Sequence, residues 1–497
     1  MFIRKKLNRS GSTSVQIIQK IQRSNKVIKV VGVSSDPLEI EKLYQQALYE
    51  LPRVYGATLF DTPYEPRLSD LSNDAIRVCG PDMVFGKIYE GIGFGRIGQA
   101  LLKDMVISRI THPGSKLNLA KYLSETGKSE VSVYSIYRFL DKLNNKLKTN
   151  IEDISYEYTK SILGGSIGVV FYDMTTIYFE ASEADDFRIA GFSKEGRHQN
   201  PQILLGLLVG RDGYPIGYEL FEGNTFEGHT LLPVLEKYIA RFNIERPIVI
   251  ADSGLLSKAN IDQLIDQNYG FIIGARIKNE SKTIIDEILA LELSDGQLAC
   301  IDKGQGLKLH ISYSEKRAKK DQYNRERGLK KLQKSISSGK LTKANINNRG
   351  YNKFLKLEGK INISIDQQKL DNDQKWDGLK GYLTNTDLNS SQVISNYNNL
   401  WKIEKAFKIS KTDLRIRPVF HRLKNRIEAH ICVSFMAYLV YKELERVLAQ
   451  SQLGISMNNA IDSINKMYEV RTNDNQLIKL KNNSIQQLIC DVVNASF

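Results

Sequence analysis

The sequence predicts a mixed α/β protein, a sheet of mixed strand direction covered by helices, on three observations. Two continuous apolar runs rich in β-branched residues, SIGVVFYDMT from Ser166 and ERPIVIADSG from Glu245, read as buried strands ending in aspartates. Between them, QILLGLLVG and YPIGYELFEGN flank Asp212-Gly213, the pattern of a tight hairpin. Amphipathic stretches HTLLPVLEKYIARF and LSKANIDQLIDQN alternate with these strands. The order β, hairpin, α, β, α, β is that of a sheet with helices on its faces.

Along the chain, SVQIIQKI and KVIKVVGV read as short strands and PLEIEKLYQQALYEL as a helix. Residues 90–147 read as helical, with KLNLAKYLSETG and SVYSIYRFLDKLNNK separated at Gly127. That pair is either a helix-turn-helix presenting Tyr134, Tyr137 and Arg138 to DNA, or a helical hairpin with its tyrosines in the core. YGFIIGARI is another strand. The pattern is interrupted from 278 to 387 by a basic stretch, 315–356, and by strand-like KLEGKINISID, which together read as an insertion with its own β structure and a cationic helical arm. Helical pattern resumes at 390, a long apolar helix follows near His421, and a polar helical tail closes the chain. The expected divisions are a largely helical α/β region at 1–150, a core in two parts at 160–277 and 388–447, the insertion at 278–387 and the tail at 448–497.

Composition narrows the function. Of 497 residues, 41% are hydrophobic and 25% charged, which excludes wholesale disorder. Lys+Arg 70 against Asp+Glu 56 leaves +14 at pH 7, so the expected partner is a polyanion, nucleic acid first. Cys79, Cys300, Cys432 and Cys490 form no CxxC pair, which argues against a disulfide framework or a cysteine zinc site. The start MFIRKKLNRSGSTS has no apolar run, and ICVSFMAYLVY (431–441) is too short to span a bilayer. A cytoplasmic protein without membrane contact is expected.

Asp173 and Asp252 stand where buried strands end, the place where sites assemble in open α/β sheets. Either alone is equally an ordinary turn or helix-capping residue. Tyr397, Glu404 and Lys411 recur at intervals of seven, close to two helical turns, which predicts one shared face with Trp401 and Lys408 beside it. Leu400, Ile403, Phe407 and Leu414 fall on the side that would pack on the sheet. The plain alternative is a solvated charged face. Three converging carboxylates suit hard divalent cations such as Mg²⁺, a pair of which clamps the attacking and leaving oxygens of phosphoryl transfer. Lys319, Lys320, Arg325, Arg327, Lys330 and Lys331 in the basic stretch are candidate phosphate contacts. Trp401 is a candidate for stacking on a displaced base, or packs in the core. Arg197-His198, Asp185, Asp186 and His229 are lesser candidates with structural readings at least as good.

The set FYDMTT, IVIADSG and YNNLWKIEKAFKISK resembles the DDE transposases of bacterial insertion sequences, in the insertion-sequence-4-like superfamily and nearest its 1634-type branch. RHQNPQILLGLLVGRDGYPIGYELFEGNT and GYLTNT carry the same flavour, and the resemblance spans about 166–445, with residues 1–150 in the place of the family's DNA-binding, end-recognition region. It implies a ribonuclease-H-like catalytic core, a β-rich insertion between the second aspartate and the glutamate, and a Tyr-Arg-Glu-Lys signature. By that resemblance Asp173, Asp252 and Glu404 are the catalytic, metal-binding triad, with Asp173 and Glu404 holding one Mg²⁺ and Asp173 and Asp252 the other, Mn²⁺ able to substitute. Tyr397 and Lys411 take the signature's phosphate-contacting places, and Leu400 stands in the arginine place. The implied activity is cutting of the element's terminal inverted repeats and 3′-hydroxyl strand transfer into target DNA, by a homodimer on double-stranded DNA. A catalytically inactive DNA-binding repressor and a ribonuclease-H-fold nuclease remain as alternatives.

Overall fold

A computed structural model describes the chain except residues 22–23, 56–74, 127–129, 182, 192, 194–195, 198, 255–256, 340, 342–344, 348–349, 359–361 and 473–475, and except the side chains of 52–55, 358 and 362. Its contacts divide it into two units, 1–75 with 472–475, and 76–471 with 476–497.

The smaller unit is an antiparallel meander of β1 (Phe2–Leu7), β2 (Thr13–Ile21) and β3 (Ser24–Ser34), followed by helix α1 (Pro37–Tyr55). Val15 and Ile17 of β2 are buried with Ala47 of α1, so alternation on β2 supplies the core. Strand β1, FIRKKL, was not expected, because its basic residues mask the alternation.

The larger unit opens with β4 (Ile76–Val78) and helices α2 (Gly80–Ile92), α3 (Ala100–Thr111), α4 (Lys116–Glu125), α5 (Val133–Lys142) and α6 (Lys148–Ile162). All but α4 pack on the helix Lys424–Gln450. Ser115 and Ser132 cap α4 and α5 through bonds to the backbone three residues on. Tyr134 of α5 is 74% exposed. Tyr137 packs edge-on against His421 at 5.9 Å, with the Arg426 guanidinium 5.1 Å above its ring. Tyr137 is thus partly buried against the core while Tyr134 faces solvent, and Gly127 lies outside the described residues.

The sheet is built by β5 (Val169–Tyr178), β6 (Gln202–Val209), β7 (Pro215–Glu222), α7 (Leu231–Phe242), β8 (Ile248–Ala251), α8 (Lys258–Asp266) and β9 (Phe271–Ala275). Strands β5, β6 and β7 are antiparallel neighbours, and β8 and β9 add in parallel on the other side of β5. The β6–β7 connection, residues 210–214, turns at Asp212 (φ 64°) and Gly213 (φ 80°), left-handed conformations that aspartate tolerates and glycine favours. This is the mixed α/β core, a sheet of mixed strand direction covered by helices, that the sequence predicts.

The insertion comprises α9 (Lys282–Leu289), β10 (Leu298–Gly304), β11 (Leu307–Tyr313), α10 (Glu315–Ser337), β12 (Leu355–Glu358), β13 (Asn362–Ile365), α11 (Gln367–Gln374) and β14 (Leu379–Thr384). Only β12 and β13 form a sheet of their own. The other three strands extend the core sheet, giving the order β10-β11-β14-β9-β8-β5-β6-β7. The physical reason is that β9 would otherwise present an unpaired edge. Helix α10 seats Arg325, Gly328 and Leu332 inward, the last in a cluster with Phe354, Leu355 and Leu370.

Helices α12 (Ser390–Asn398), α13 (Trp401–Lys408) and α14 (Lys424–Gln450) then return to the sheet. Every residue of α14 from Ala429 to Tyr441 is buried, the all-round apolar pattern of a central core helix. Finally come α15 (Met457–Ile464), β15 (Tyr468–Arg471), β16 (Leu477–Lys479) and α16 (Ser484–Ser496). The tail is therefore not wholly helical: β16 and β15 pair in a three-stranded sheet with β4.

Candidate active site

Strand period sets the site. Tyr172 and Ala251 are the last parallel partners of β5 and β8, so Asp173 and Asp252 are the next residues on adjacent strands. Phe171 and Ile250 belong to the core under α12–α14, whereas Tyr172 and Ala251 belong to the core under α7. Alternation therefore turns both aspartates to the α12–α14 side. Asp173 is not at the end of its strand, since β5 runs on to Tyr178 against β6, with Asp173 opposite Leu207. It stands where the β8 side of the pairing stops, which opens the crevice. Asp173 Oδ1 accepts from the Met174 N–H and Asp252 Oδ1 from the Ser253 N–H, both at 2.7 Å.

Tyr397, near the end of α12, is buried with its ring beneath β9 and β14. Its hydroxyl points at Asp252 Oδ1 from 3.5 Å, the long limit of a hydrogen bond. Only glycine fits below it: a Cβ on Gly274 would lie 2.5 Å from the Tyr397 hydroxyl oxygen. Burial, then the negative charge of Asp252, push the Tyr397 phenol well above its ordinary range, with Glu404 adding in the same direction. Tyr382, opposite Gly274 on β14, meets the Tyr397 ring edge-on at 4.9 Å. The Lys380 ammonium sits 4.5 Å from the centre of that ring. Burial and Arg317 lower the basicity of Lys380, opposed by Asp252 and Glu404. Arg276 donates to the Ser253 carbonyl at 3.0 Å.

The helix bearing Glu404 is not the single stripe that spacing by seven predicts. It breaks after Asn398, restarts at Trp401, and widens into a π turn over Ile409–Asp413 that carries Lys411. Tyr397 faces inward at 6% exposure while Glu404 is exposed, and Lys411 is half-buried. Leu400, Ile403, Phe407 and Leu414 are buried as expected, so the arginine place of the signature is a core position here. Helix α13 packs over β5. An open pocket of about 520 Å³ is lined by Trp401, Glu404, Lys408, Asp413 and Tyr441 among others. Trp401 is 53% exposed, with Lys405 5.9 Å from its ring centre. Lys402 is tied to Asp212 at 2.5 Å, whereas Lys408 and Arg415 are exposed. Among the described residues no three His, Cys, Asp or Glu side chains gather closely enough to hold a metal ion.

On α10, Arg325 is a structural residue, 5% exposed and forked onto Asp377 at 2.6 and 2.5 Å. Lys319 pairs with Glu315 at 2.8 Å, and Lys320, Arg327, Lys330 and Lys331 are exposed. Asp185 shapes a loop by accepting from Arg188 at 2.7 Å, and Asp186 is exposed. Arg197 lies 4.1 Å over the Tyr178 ring, and His198 is outside the described residues. His229 is exposed against Phe226. Sequence reasoning missed Lys380, Tyr382, Gly274 and Arg276. The phrase GYLTNT, whose flavour the sequence already showed, begins one residue after Lys380.

The site is a mixed sheet with Asp173 and Asp252 side by side on the face that α12–α14 cover. The chain matches the Transposase DDE domain family over residues 164–440, more than half its length, and belongs to that family. No curated protein sequence matches it. Among solved structures it is similar to a piggyBac transposase synaptic complex with hairpin DNA, at 9% identity over 78% of this chain and 76% of that one, TM-score 0.37. It is also similar to the Mos1 transposase paired-end complex with the left transposon end, at 15% identity over 47% of this chain and 66% of that one, TM-score 0.16. A mariner Mos1 paired-end complex with Mg matches to the same extent.

Proposed function

We propose that the protein is the DNA transposase of an insertion sequence, cleaving its element's ends and joining the freed 3′-hydroxyl to target DNA. The observation that carries this reading is the placement of Asp173 and Asp252 side by side, each one residue past the last parallel pair of β5 and β8, under the helix that bears Glu404. Their carboxylate oxygens are the donors hard divalent cations prefer, so the residues fit Mg²⁺ or Mn²⁺ in kind. Asp173 and Asp252 would hold one ion, and Asp173 and Glu404 a second. Such ions would neutralise charge on the attacked phosphate and favour the ionised form of the attacking hydroxyl.

In the first step a water oxygen attacks the phosphorus at the element's end. The P–O3′ bond breaks, the water gives up a proton, and the departing 3′ oxygen takes one. In the second, that 3′-hydroxyl attacks a target phosphodiester, whose own 3′ oxygen leaves. The residues of this chain orient the reactants: Tyr397 fixes the Asp252 carboxylate, and Lys411 and Lys408 face the phosphate backbone. The +14 charge suits a DNA partner, and cutting two ends in one assembly makes a homodimer on DNA the working form. No helix among the described residues is long and apolar enough to cross a membrane, and the proposed site of action is the cytoplasmic nucleoid.

End-labelled duplex carrying the DNA that borders this gene, incubated with wild type and Glu404→Gln in Mg²⁺ or EDTA, tests the reading. Metal-dependent nicking and joining by wild type, lost in the variant while DNA binding persists, is the expected result. Binding by both without cleavage in any metal would replace the enzyme with a DNA-binding repressor.

A further inference from the structure

A cleft of about 700 Å³ lies between α10 and the end of the β9–β14 ladder, and two of its lining residues, Arg276 and Lys380, reach towards the surroundings of Asp252. Ala275 and Gly381, which line it, are paired one step from Gly274 and Tyr382, where Tyr397 packs. Lys380 lines the cleft while its ammonium covers the Tyr397 ring. Arg276 lines it too, and bonds the carbonyl of the residue after Asp252.

The cleft is cationic beyond its internal pairing. Lys278 and Lys353 share one carboxylate, Asp373, at 2.7 and 2.8 Å. Asp377 is taken by Arg325. Arg276 and Lys380 make no ion pair among the described residues. The lysines are 48% and 39% exposed, so their charge faces the opening rather than the core. Lys278 and Lys353 meet at Asp373 Oδ1, while Arg276 and Lys380 stand apart from them beside Ser253 and Tyr397. Two separate cationic points along one open cleft match successive phosphates of a chain better than a single small anion.

We propose that this cleft is a track for the phosphate backbone of the DNA strand whose end occupies the carboxylate site, Arg276 and Lys380 holding its rim and Lys278 and Lys353 its far part. The track rests on the transposase reading. It is distinct from the exposed lysines of α10, and it gives the insertion a role at the reacting strand.

The test is the salt dependence of binding by the full chain to fluorescein-labelled oligodeoxythymidylate, followed by fluorescence anisotropy through a KCl series. The logarithm of affinity falls with the logarithm of salt by about 0.7 per phosphate contact on single strands. Lys278→Gln and Lys353→Gln are each expected to flatten that slope by about 0.7, and the double variant by about 1.4, with thermal melting run beside it to show that the variants, which also lose pairs to Asp373, are folded at the assay temperature. Lys237→Gln on α7, against the opposite face of the sheet, is expected to leave the slope alone. An unchanged slope in the double variant, or equal flattening by Lys237→Gln, would overturn the track. If wild type still cuts end DNA in that case, the transposase reading stands and only the track falls. A wild type that binds neither single strand nor duplex at low salt would remove both.

Discussion

Replacing Gly274 by alanine tests how Tyr397 is held. The added methyl would lie 2.5 Å from the tyrosine hydroxyl and 3.2 Å from the ring carbon that bears it. Overpacking of this kind costs about 1–3 kcal/mol, reduced by the ~0.5–1 kcal/mol an alanine gains over glycine within a regular element. A net loss of about 1–2 kcal/mol is expected for Gly274→Ala. In a Tyr397→Phe background the closest oxygen is gone and the nearest contact becomes the 3.2 Å one, which a few tenths of an ångström relieves. There the alanine should cost under ~1 kcal/mol, leaving a coupling of about 1 kcal/mol. Urea unfolding followed by tryptophan fluorescence reads it well, since the chain's two tryptophans, Trp376 and Trp401, both lie in the larger unit. An alanine cost that is equal in the two backgrounds would refute the claim that Gly274 exists to seat the Tyr397 hydroxyl.

Three further outcomes follow from the same geometry. Tyr397→Phe frees Asp252 from its only described side-chain donor outside its own turn, and should lower end cleavage by about 10–100-fold with a raised Mg²⁺ requirement, as loss of a ligand's orienting partner does. Glu443 is fully buried on α14 between Arg446 at 2.7 Å and the Tyr214 hydroxyl at 2.6 Å, so Glu443→Ala leaves the buried Tyr214 hydroxyl and the partly exposed Arg446 without their acceptor and should cost about 1–3 kcal/mol in urea unfolding. Acid should weaken the fold early: burial, then Lys116 and Arg426, hold His421 down to about 3, and burial with Arg109 keeps His430 well below its ordinary value. The His430 Nε2–H donates to the Ile416 carbonyl at 2.9 Å, and Nδ1 has no partner among the described residues, which is a neutral ring's arrangement. Both histidines take up protons more readily unfolded, so stability falls as pH drops below about 6.5 and keeps falling towards 3, His421 alone contributing at most ~5 kcal/mol. Circular dichroism against pH checks it, and His421→Gln should flatten the slope.

The aspartates were legible because a charge directly after an uninterrupted Val/Ile run is costly inside a sheet and so marks where a strand meets a crevice. Short-range pattern places Asp173 and Asp252 without knowledge of the fold. The packing side of α13 was legible in a similar way: Ile403 and Phe407 follow helical period. What the sequence hid depends on pairings across long separations. Lys380 comes to the site only because β14 pairs with β9, setting Tyr382 opposite Gly274. Nothing local in KGYLTNT says which strand it will join. Arg325 looked like one more cation in a basic run, and only Asp377 across the cleft makes it structural. The equal spacing of Tyr397, Glu404 and Lys411 assumed one uniform helix, and a break and a π turn shift each onto a different aspect.

The continuity of the eight-stranded sheet has a consequence for how such a protein can change over time or be engineered. An appendage on flexible tethers can be trimmed, exchanged or repositioned without disturbing its host. Here β14 shares its hydrogen-bond ladder with β9, whose neighbour β8 leads into Asp252, so excising 278–387 would leave a bare, apolar strand edge one strand from that carboxylate. The inserted segment is therefore not a detachable module. Its length can drift in the loops around α10, but its three sheet strands are bound to the same register as the strand that carries Asp252 to the candidate site.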